Sequence, residues 1–146
     1  MNLTYLTTNN IPEPAILDGI QHLHNTIFGG RDDLLTKMHG MPKLLFNLAL
    51  DGQKLVGYKI GFELDETKFY SWLGGVHPAH RNHGIASTLM YQQHHYLKQN
   101  GYTSVQTKTM NKWRGMLILN IKSGFNIIKT YTDKNGRHKI ILEKDL

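Results

Sequence analysis

A strand that runs straight into a long helix and then into a second strand has few ways to fold, and residues 69–110 spell that order. "FYSWLGGV" alternates like a strand, "IASTLMYQQHHYLKQN" has helical spacing, and "YTSVQTKTM" is again a strand. Parallel strands need a crossover connection, almost always right-handed, so the two strands are expected side by side and parallel. The helix would bury Ile85, Leu89 and Tyr96 on one line and Ala86, Met90 and Leu97 on the next, with Asn100-Gly101 as its stop. The intervening turn, "VHPAHRNHGIAS", then lies at the carboxyl end of a parallel strand, where open α/β sheets bind ligands.

The flanking segments supply the rest of one domain. "NLTYLTT" reads as a strand, and Pro12 and Pro14 precede a helix whose Ile16, Ile20, Leu23 and Ile27 share a face. Gly29 and Gly30 end that helix, and "RDDLLTKMHG" predicts a second, short one. The "RDD" of residues 31–33 is a helix start with favourable acidic residues. "KLLFNLALD" and "KLVGYKIGFEL" flank Asp51-Gly52-Gln53-Lys54, a tight hairpin signal. Gly74-Gly75, late in a strand, suggests a bulge or a place where another group approaches the backbone. "NKWRGMLILNIKS" is helical with Gly124 as its cap, and "FNIIKTYTD" and "RHKIILEKDL" close the chain as a hairpin. The order is β, α, α, three strands, α, β, α, two strands: a mixed α/β (α+β) single domain spanning 1–146.

Composition narrows the function classes. Of 146 residues, 40% are hydrophobic and 19% charged, values of an ordinary globular domain. No run reaches the ~18 apolar residues of a membrane span, and the N-terminus lacks a signal-peptide layout, so a cytoplasmic location and no membrane partner are expected. The absence of cysteine excludes disulfides, thiolate metal sites and a cysteine nucleophile. A net charge of +6 suggests an anionic ligand. The lysines and arginines are scattered without a block or a reading motif, so nucleic acid is not the expected partner.

The basic turn answers that charge locally. Gly84 can adopt backbone angles closed to other residues, so successive N–H groups can point into one concavity at the positive end of a helix. Such a turn binds phosphate or pyrophosphate, and Arg81 adds a cationic fork. A P-loop would need Gly-Lys-Ser/Thr and a dinucleotide fold three glycines in six residues, and neither is present. His77, His80 and His83 are close in sequence, but a loop that presents its N–H groups to phosphate rarely converges side chains on a metal, so no metal is expected. His94 and His95 read as a solvated helix face. Phe69, Tyr70 and Trp72 alternate along their strand, so one set is core and the other can line a pocket.

Arg81, Gly84 and Ala86, preceded by Val76 and Pro78 and followed downstream by Gly124-Phe125, resemble the R/Q-x-x-G-x-G/A pattern of the GNAT superfamily of acyl-CoA-dependent N-acetyltransferases. The element order resembles that family's fold over nearly the whole chain. The resemblance implies a mostly antiparallel sheet of about six or seven strands with a splayed parallel pair, flanked by about four helices. It implies acetyl-CoA as cosubstrate, with pantetheine in the splay along Gly75 and Val76. His77 stands beside the thioester position, and Arg81, Asn82, His83, Gly84, Ile85, Ala86 and Ser87 would hold the pyrophosphate. The Val76 N–H would then polarise the thioester carbonyl.

The resemblance also marks two departures. Where the family often has tyrosine in "LYxKxGF" as acid for the leaving thiolate, "LNIKSGF" places Asn120, which donates a hydrogen bond but no proton. The family's cofactor asparagine seven positions earlier is replaced by Trp113, and the nearest asparagine is Asn111. For the base that takes the amine's proton, Glu63, His77 and a water chain all stay open, and Glu63 is otherwise an exposed strand-end charge. The expected activity is direct acetyl transfer in a ternary complex to a primary amine of a small molecule or peptide. The alternative is a non-catalytic acyl-CoA-binding module. Dimers are common in the family, so a homodimer is one assembly the resemblance admits.

Overall fold

The computed structural model describes residues 1–30 and 33–146. Of the "RDD" segment, Arg31 and Asp32 lie outside the described residues. Strand β1 (Leu3–Thr8) leads to helices α1 (Pro14–Phe28) and α2 (Leu34–Met38), then to strands β2 (Leu45–Asp51), β3 (Lys54–Glu63) and β4 (Lys68–Val76). A 3₁₀ turn (Pro78–His80) and helix α3 (Ile85–Gln99) connect to β5 (Ser104–Thr109), followed by α4 (Arg114–Lys122), β6 (Asn126–Thr132) and β7 (His138–Asp145).

Among the described residues these strands form one seven-stranded sheet in the order β1-β2-β3-β4-β5-β7-β6. Every neighbouring pair is antiparallel except β4 and β5, the pair joined through α3. The hairpin turn pairs Asp51 with Lys54, as the Asp-Gly signal requires. Asp33 caps α2, its carboxylate accepting from the Thr36 N–H at 3.2 Å. Helix α4 starts at Arg114 rather than at Asn111, because residues 110–113 form a turn in which the Trp113 N–H donates to the Met110 carbonyl at 3.0 Å.

Helices cover both faces of the central strands, which explains why β2 and β3 read as nearly unbroken apolar runs. On one face, Ile20 and Leu23 of α1 and Leu34 and Met38 of α2 pack on Phe46, Leu48, Tyr58 and Ile60. On the other face, α3 seats Ile85 and Leu89 on Ala49 and Val56, and Met90 and Leu97 beside Leu45, Phe69, Val105 and Leu142.

The expected irregularity in β4 is present, two residues earlier than the glycines. Ile60 pairs with Leu73 and Gly61 with Ser71, so Trp72 is the extra residue of a bulge. Its consequence is a change of face: Trp72 and Leu73 both pack on the α1 side, whereas Phe69 and Val76 pack on the α3 side. Gly61 accommodates the bulge, since a Cβ there would meet the Phe69 ring at 2.5 Å. Gly75 fulfils the close-approach reading instead, because a Cβ would sit 2.6 Å from Cδ1 of Ile27.

His94 departs from its expected place on a solvated face. It is only 8% exposed, lies against the Phe125 ring, and its Nδ1 accepts from Nζ of Lys144 at 3.1 Å. Helical periodicity places positions 90, 93, 94 and 97 toward the sheet, and this outweighs the side chain's polarity. Burial, followed by the nearby charges of Lys144 and Lys59, lowers its pKa to about 3. The unfolded chain binds a proton near ~6.5 that the folded chain refuses, so stability is lost as pH falls from there. Between pH 7 and 4.5 the loss is expected to be about 2 kcal/mol. His94→Gln, which keeps an acceptor but does not titrate, should flatten that slope in chemical denaturation; an unchanged slope would assign the acid sensitivity elsewhere.

Candidate functional site

The hydrogen-bond ladder between β4 and β5 stops early. It runs from Lys68 opposite Ser104 to Ser71 opposite Thr107, where the Thr107 hydroxyl donates to the Ser71 carbonyl at 3.0 Å. Beyond that rung the two strands part, and the β5-facing edge of residues 73–76 is left without a strand partner.

Register fixes what this free edge offers. The His77 N–H donates to the Val56 carbonyl at 2.8 Å, which makes 77 and 56 a hydrogen-bonded pair. In an antiparallel ladder the bonded pairs alternate with unbonded ones, so the next pair, Val76 with Gly57, directs its N–H and C=O away from the partner strand. The same parity applies to Gly74 opposite Lys59. The Val76 and Gly74 amides therefore face the gap. The Val76 carbonyl is engaged by Nε of Arg81 at 3.2 Å, which ties the following turn back to the strand.

The turn itself is held by its histidines. Nδ1 of His77 accepts from the Ala79 N–H at 3.1 Å, Nε2 of His80 meets Oδ2 of Asp51 at 3.0 Å, and Nδ1 of His83 donates to the Arg81 carbonyl at 2.8 Å. Burial, with further contributions from Lys54, His80 and Arg81, holds His77 below the usual histidine range. Asn82 and Gly84 have φ of 65° and 75°, the left-handed region that lets consecutive amides turn to one side. The first helical bond of α3 is the Thr88 N–H to the Gly84 carbonyl at 3.0 Å. The N–H groups of Gly84, Ile85, Ala86 and Ser87 have no partner among the described residues, and they lie at the positive end of a fifteen-residue helix. Arg81, Asn82, His83 and Gly84 are exposed around them. These donors fit an anion of phosphate size.

A small cavity of about 10 Å³, room for one water molecule, opens where the gap meets the helices. Tyr58, Lys59, Gly74, Gly75, Val76, Ala86, Met90 and Met116 line it, together with Leu89. Asn120 follows Met116 by four residues on α4 and so shares its face, with 2% exposure. Asn111 is exposed in the turn that leaves β5, at the end of the parallel pair where the gap opens.

Glu63 is not brought to this site. It is the last residue of β3 and pairs with Phe69, near the start of β4, whereas the gap lies at the end of β4 opposite Gly57. Because β3 and β4 run antiparallel, the late end of one is the early end of the other. The carboxylate instead accepts from the Tyr102 hydroxyl at 2.9 Å, and burial and that bond push the Tyr102 pKa up to about 12. Phe69 is core, while Tyr70 and Trp72 meet Phe62 edge to face with centroid distances of 5.4 and 5.7 Å.

The structure brings to the gap two groups that the sequence did not single out. Tyr58 reaches under Gly75, and its hydroxyl lies 2.7 Å from Nδ1 of His24 on α1. Lys59, 8% exposed, enters from the opposite face, and burial lowers its pKa to about 8. Strand alternation within "VGYKIG" carries the only signal for either, since it places one residue on each side of the sheet. No helix is long and apolar enough to cross a membrane, and no cluster of three or more metal-binding side chains is present, among the described residues.

The fold has many solved relatives. The chain superimposes on Ard1 from Thermoplasma volcanium with a TM-score of 0.86 at 15% identity, covering 100% of this chain and 99% of that one. A GNAT family acetyltransferase from Elizabethkingia anophelis with acetyl-CoA bound matches at TM-score 0.74 and 19% identity, over 99% of both chains. The ribosomal-protein-S18-alanine N-acetyltransferase from Escherichia coli matches at TM-score 0.80 and 14% identity, over 97% of this chain and 94% of that one. Comparison with curated proteins finds no match. The sequence pattern of the acetyltransferase (GNAT) family matches residues 18–114, two thirds of the chain and the stretch that builds the parted strands and the glycine turn, so the chain belongs to the GNAT acetyltransferase family.

Proposed function

We propose that the protein is an N-acetyltransferase that moves the acetyl group of acetyl-CoA to a primary amine of a small molecule or peptide, by direct attack with both substrates bound. The observation that carries this reading is the free edge of β4: the Val76 N–H faces the gap, one turn of chain before four unpartnered N–H groups at the α3 N-terminus. The first can polarise a thioester carbonyl while the others hold a pyrophosphate, and the two lie on one continuous segment.

Each residue then has a task. Arg81, Asn82, His83, Gly84, Ile85, Ala86 and Ser87 bind the diphosphate, the strand backbone at Gly75 and Val76 lies along the pantetheine arm, and His77 keeps the turn in shape through its bond to the Ala79 N–H. The exposed Asn111 can reach the cofactor from the β5 side. The Val76 amide donates to the carbonyl oxygen as charge gathers on it, a contribution that grows in the transition state. Asn120 donates a hydrogen bond to the departing sulfur. With Glu63 remote, the amine, whose pKa is ~10, loses its proton through water or through groups on the α1 side of the gap. The Escherichia coli neighbour named as a ribosomal-protein-S18-alanine N-acetyltransferase favours an amine acceptor, and a homodimer agrees with a family in which dimers are common.

Acetyl-CoA should bind in the micromolar range by calorimetry. Gly84→Val should weaken that binding at least about tenfold, because a branched side chain resists φ of 75° and covers the anion site. Nothing lies within 4 Å of a Cβ at Gly84, so the variant should still fold, as circular dichroism would show. Normal CoA affinity in Gly84→Val would remove the turn as the pyrophosphate site.

CoA release, assayed with polyamines, aminoglycosides, amino acids and peptide N-termini, separates an enzyme from a module that only binds acyl-CoA. With the best acceptor, Asn120→Ala should lower turnover about ten- to a hundredfold and leave acetyl-CoA affinity nearly unchanged. Wild-type turnover at every pH would reduce Asn120 to a packing residue.

A further inference from the structure

Lys59, only 8% exposed as a residue, carries an ammonium for which the described residues provide no hydrogen bond or ion pair. Tyr58 and Ile60 face α1, so Lys59 faces α3, where it lines the cavity with Gly74, Val76, Met90 and Met116. Gly74 is its cross-strand neighbour, and the lysine stem lies over that bare backbone, its Cγ 3.9 Å from where a Cβ would be. The opposite neighbour, Asn47, is fully buried and gives its Nδ2 to Thr7 at 2.9 Å, which leaves its Oδ1 without a partner. Gln93 on α3, also fully buried, has neither amide atom bonded. The titratable group that interacts with Lys59 is His94 of α3, held neutral by burial. Its neighbours in β2, β4 and α4 are Asn47, Gly74, Met116 and, on the same face of α4, Asn120, none of them an acid.

An enclosed cation without a counter-ion is destabilising. A chain that keeps one beside a cavity has a use for an anion there. That anion does not have to enter as one, since a charge that forms in place during a reaction serves equally. The proposed reaction, on which this inference rests, forms one such charge, on sulfur.

We propose that Lys59 is the acid that protonates the coenzyme A sulfur as the thioester breaks, the step for which Asn120 has no proton to give. The acceptor nitrogen, its proton lost through water, bonds to the acetyl carbon; the C–S bond then breaks with its electron pair on sulfur, the Lys59 ammonium gives one proton to that sulfur, and an amide, free CoA thiol and a neutral Lys59 amine result. The amine regains its proton from solvent water once CoA leaves. Burial holds the Lys59 pKa at about 8, close to the ~8.5 of a free thiol, so the proton moves with little uphill cost. Asn120 then positions the sulfur, and Lys59 supplies the charge.

The test begins without any acceptor. CoA is bound to the protein and its thiol titrated through thiolate ultraviolet absorbance, in wild type and in Lys59→Met, whose apolar side chain suits the buried position. An ammonium within reach should lower the bound thiol's pKa by one unit or more from ~8.5 in wild type and leave it near that value in Lys59→Met. Lys59→Gln repeats the measurement should the methionine variant misfold. With an acceptor in hand, wild-type turnover should decline above pH 8 as Lys59 loses its proton, and the variants should be about ten- to a hundredfold slower without that decline. CoA bound normally with the same thiol pKa in all three proteins overturns the role of Lys59 alone. Failure of wild type to bind CoA overturns this role together with the acetyltransferase reading.

Discussion

The site depends on the point at which β4 and β5 stop pairing. Four residues of each strand form a parallel ladder, and then the Trp72 bulge adds a residue against Ile60 and Gly61 and bends β4 away. Without the bulge the two strands would zip further, and the Gly74 and Val76 amides would be spent on β5. The bulge thus turns a structural edge into a row of donors. It also resets the alternation of side chains, so that Gly75 meets Ile27 and Tyr58 on one face while Val76 packs toward α3 on the other. Gly61 makes the bulge possible, and Gly75 lets α1 close over it.

Positive potential is placed at two depths along this gap. The outer part is the α3 N-terminus, with its unpartnered amides, Arg81 and the exposed turn, where an anion stays partly in water. The inner part is Lys59, where the surroundings are less polar and a charge interacts more strongly. A substrate with a diphosphate at one end and a thioester at the other matches that spacing of charges in kind. The outer site can be occupied throughout, but the inner one gains a partner only when sulfur becomes anionic, and a group that interacts better with the transition state than with the ground state speeds the reaction.

The α3 face of the sheet contains an unusual density of buried polar groups. Asn47, Lys59, Gln93, His94 and Asn120 are each below 9% exposed, and several of their atoms lack partners. Groups of this kind destabilise a core unless something satisfies them. The opposite face, with Ile20, Leu23, Phe46, Leu48 and Ile60, is built almost wholly of apolar side chains and holds the sheet together. One layer therefore stabilises the domain, and the other tolerates polar groups where the chemistry is proposed to occur.

Local rules sufficed for part of this. A strand, a basic glycine turn and an amphipathic helix in immediate succession imply a parallel crossover and an anion site, because chain connectivity and the conformational freedom of Gly84 are properties of adjacent residues. The hairpin at Asp51-Gly52 and the caps at Gly29 and Gly124 were legible for the same reason. What depended on register was not. Glu63 looked like a strand-end acid near the site, and antiparallel pairing with Phe69 carried it to the far end of the sheet. His94 looked solvated, and the packing of α3 buried it. The bulge fell at Trp72 rather than at the paired glycines, since its position is set by how two strands fit. Lys59 was one lysine among scattered cations until alternation along β3, the bare backbone of Gly74 and the covering helices enclosed it. Adjacent residues are enough to say which backbone groups can turn toward an anion; which side chains stand beside them follows only from the packed fold, because burial and facing are properties of neighbours distant along the chain.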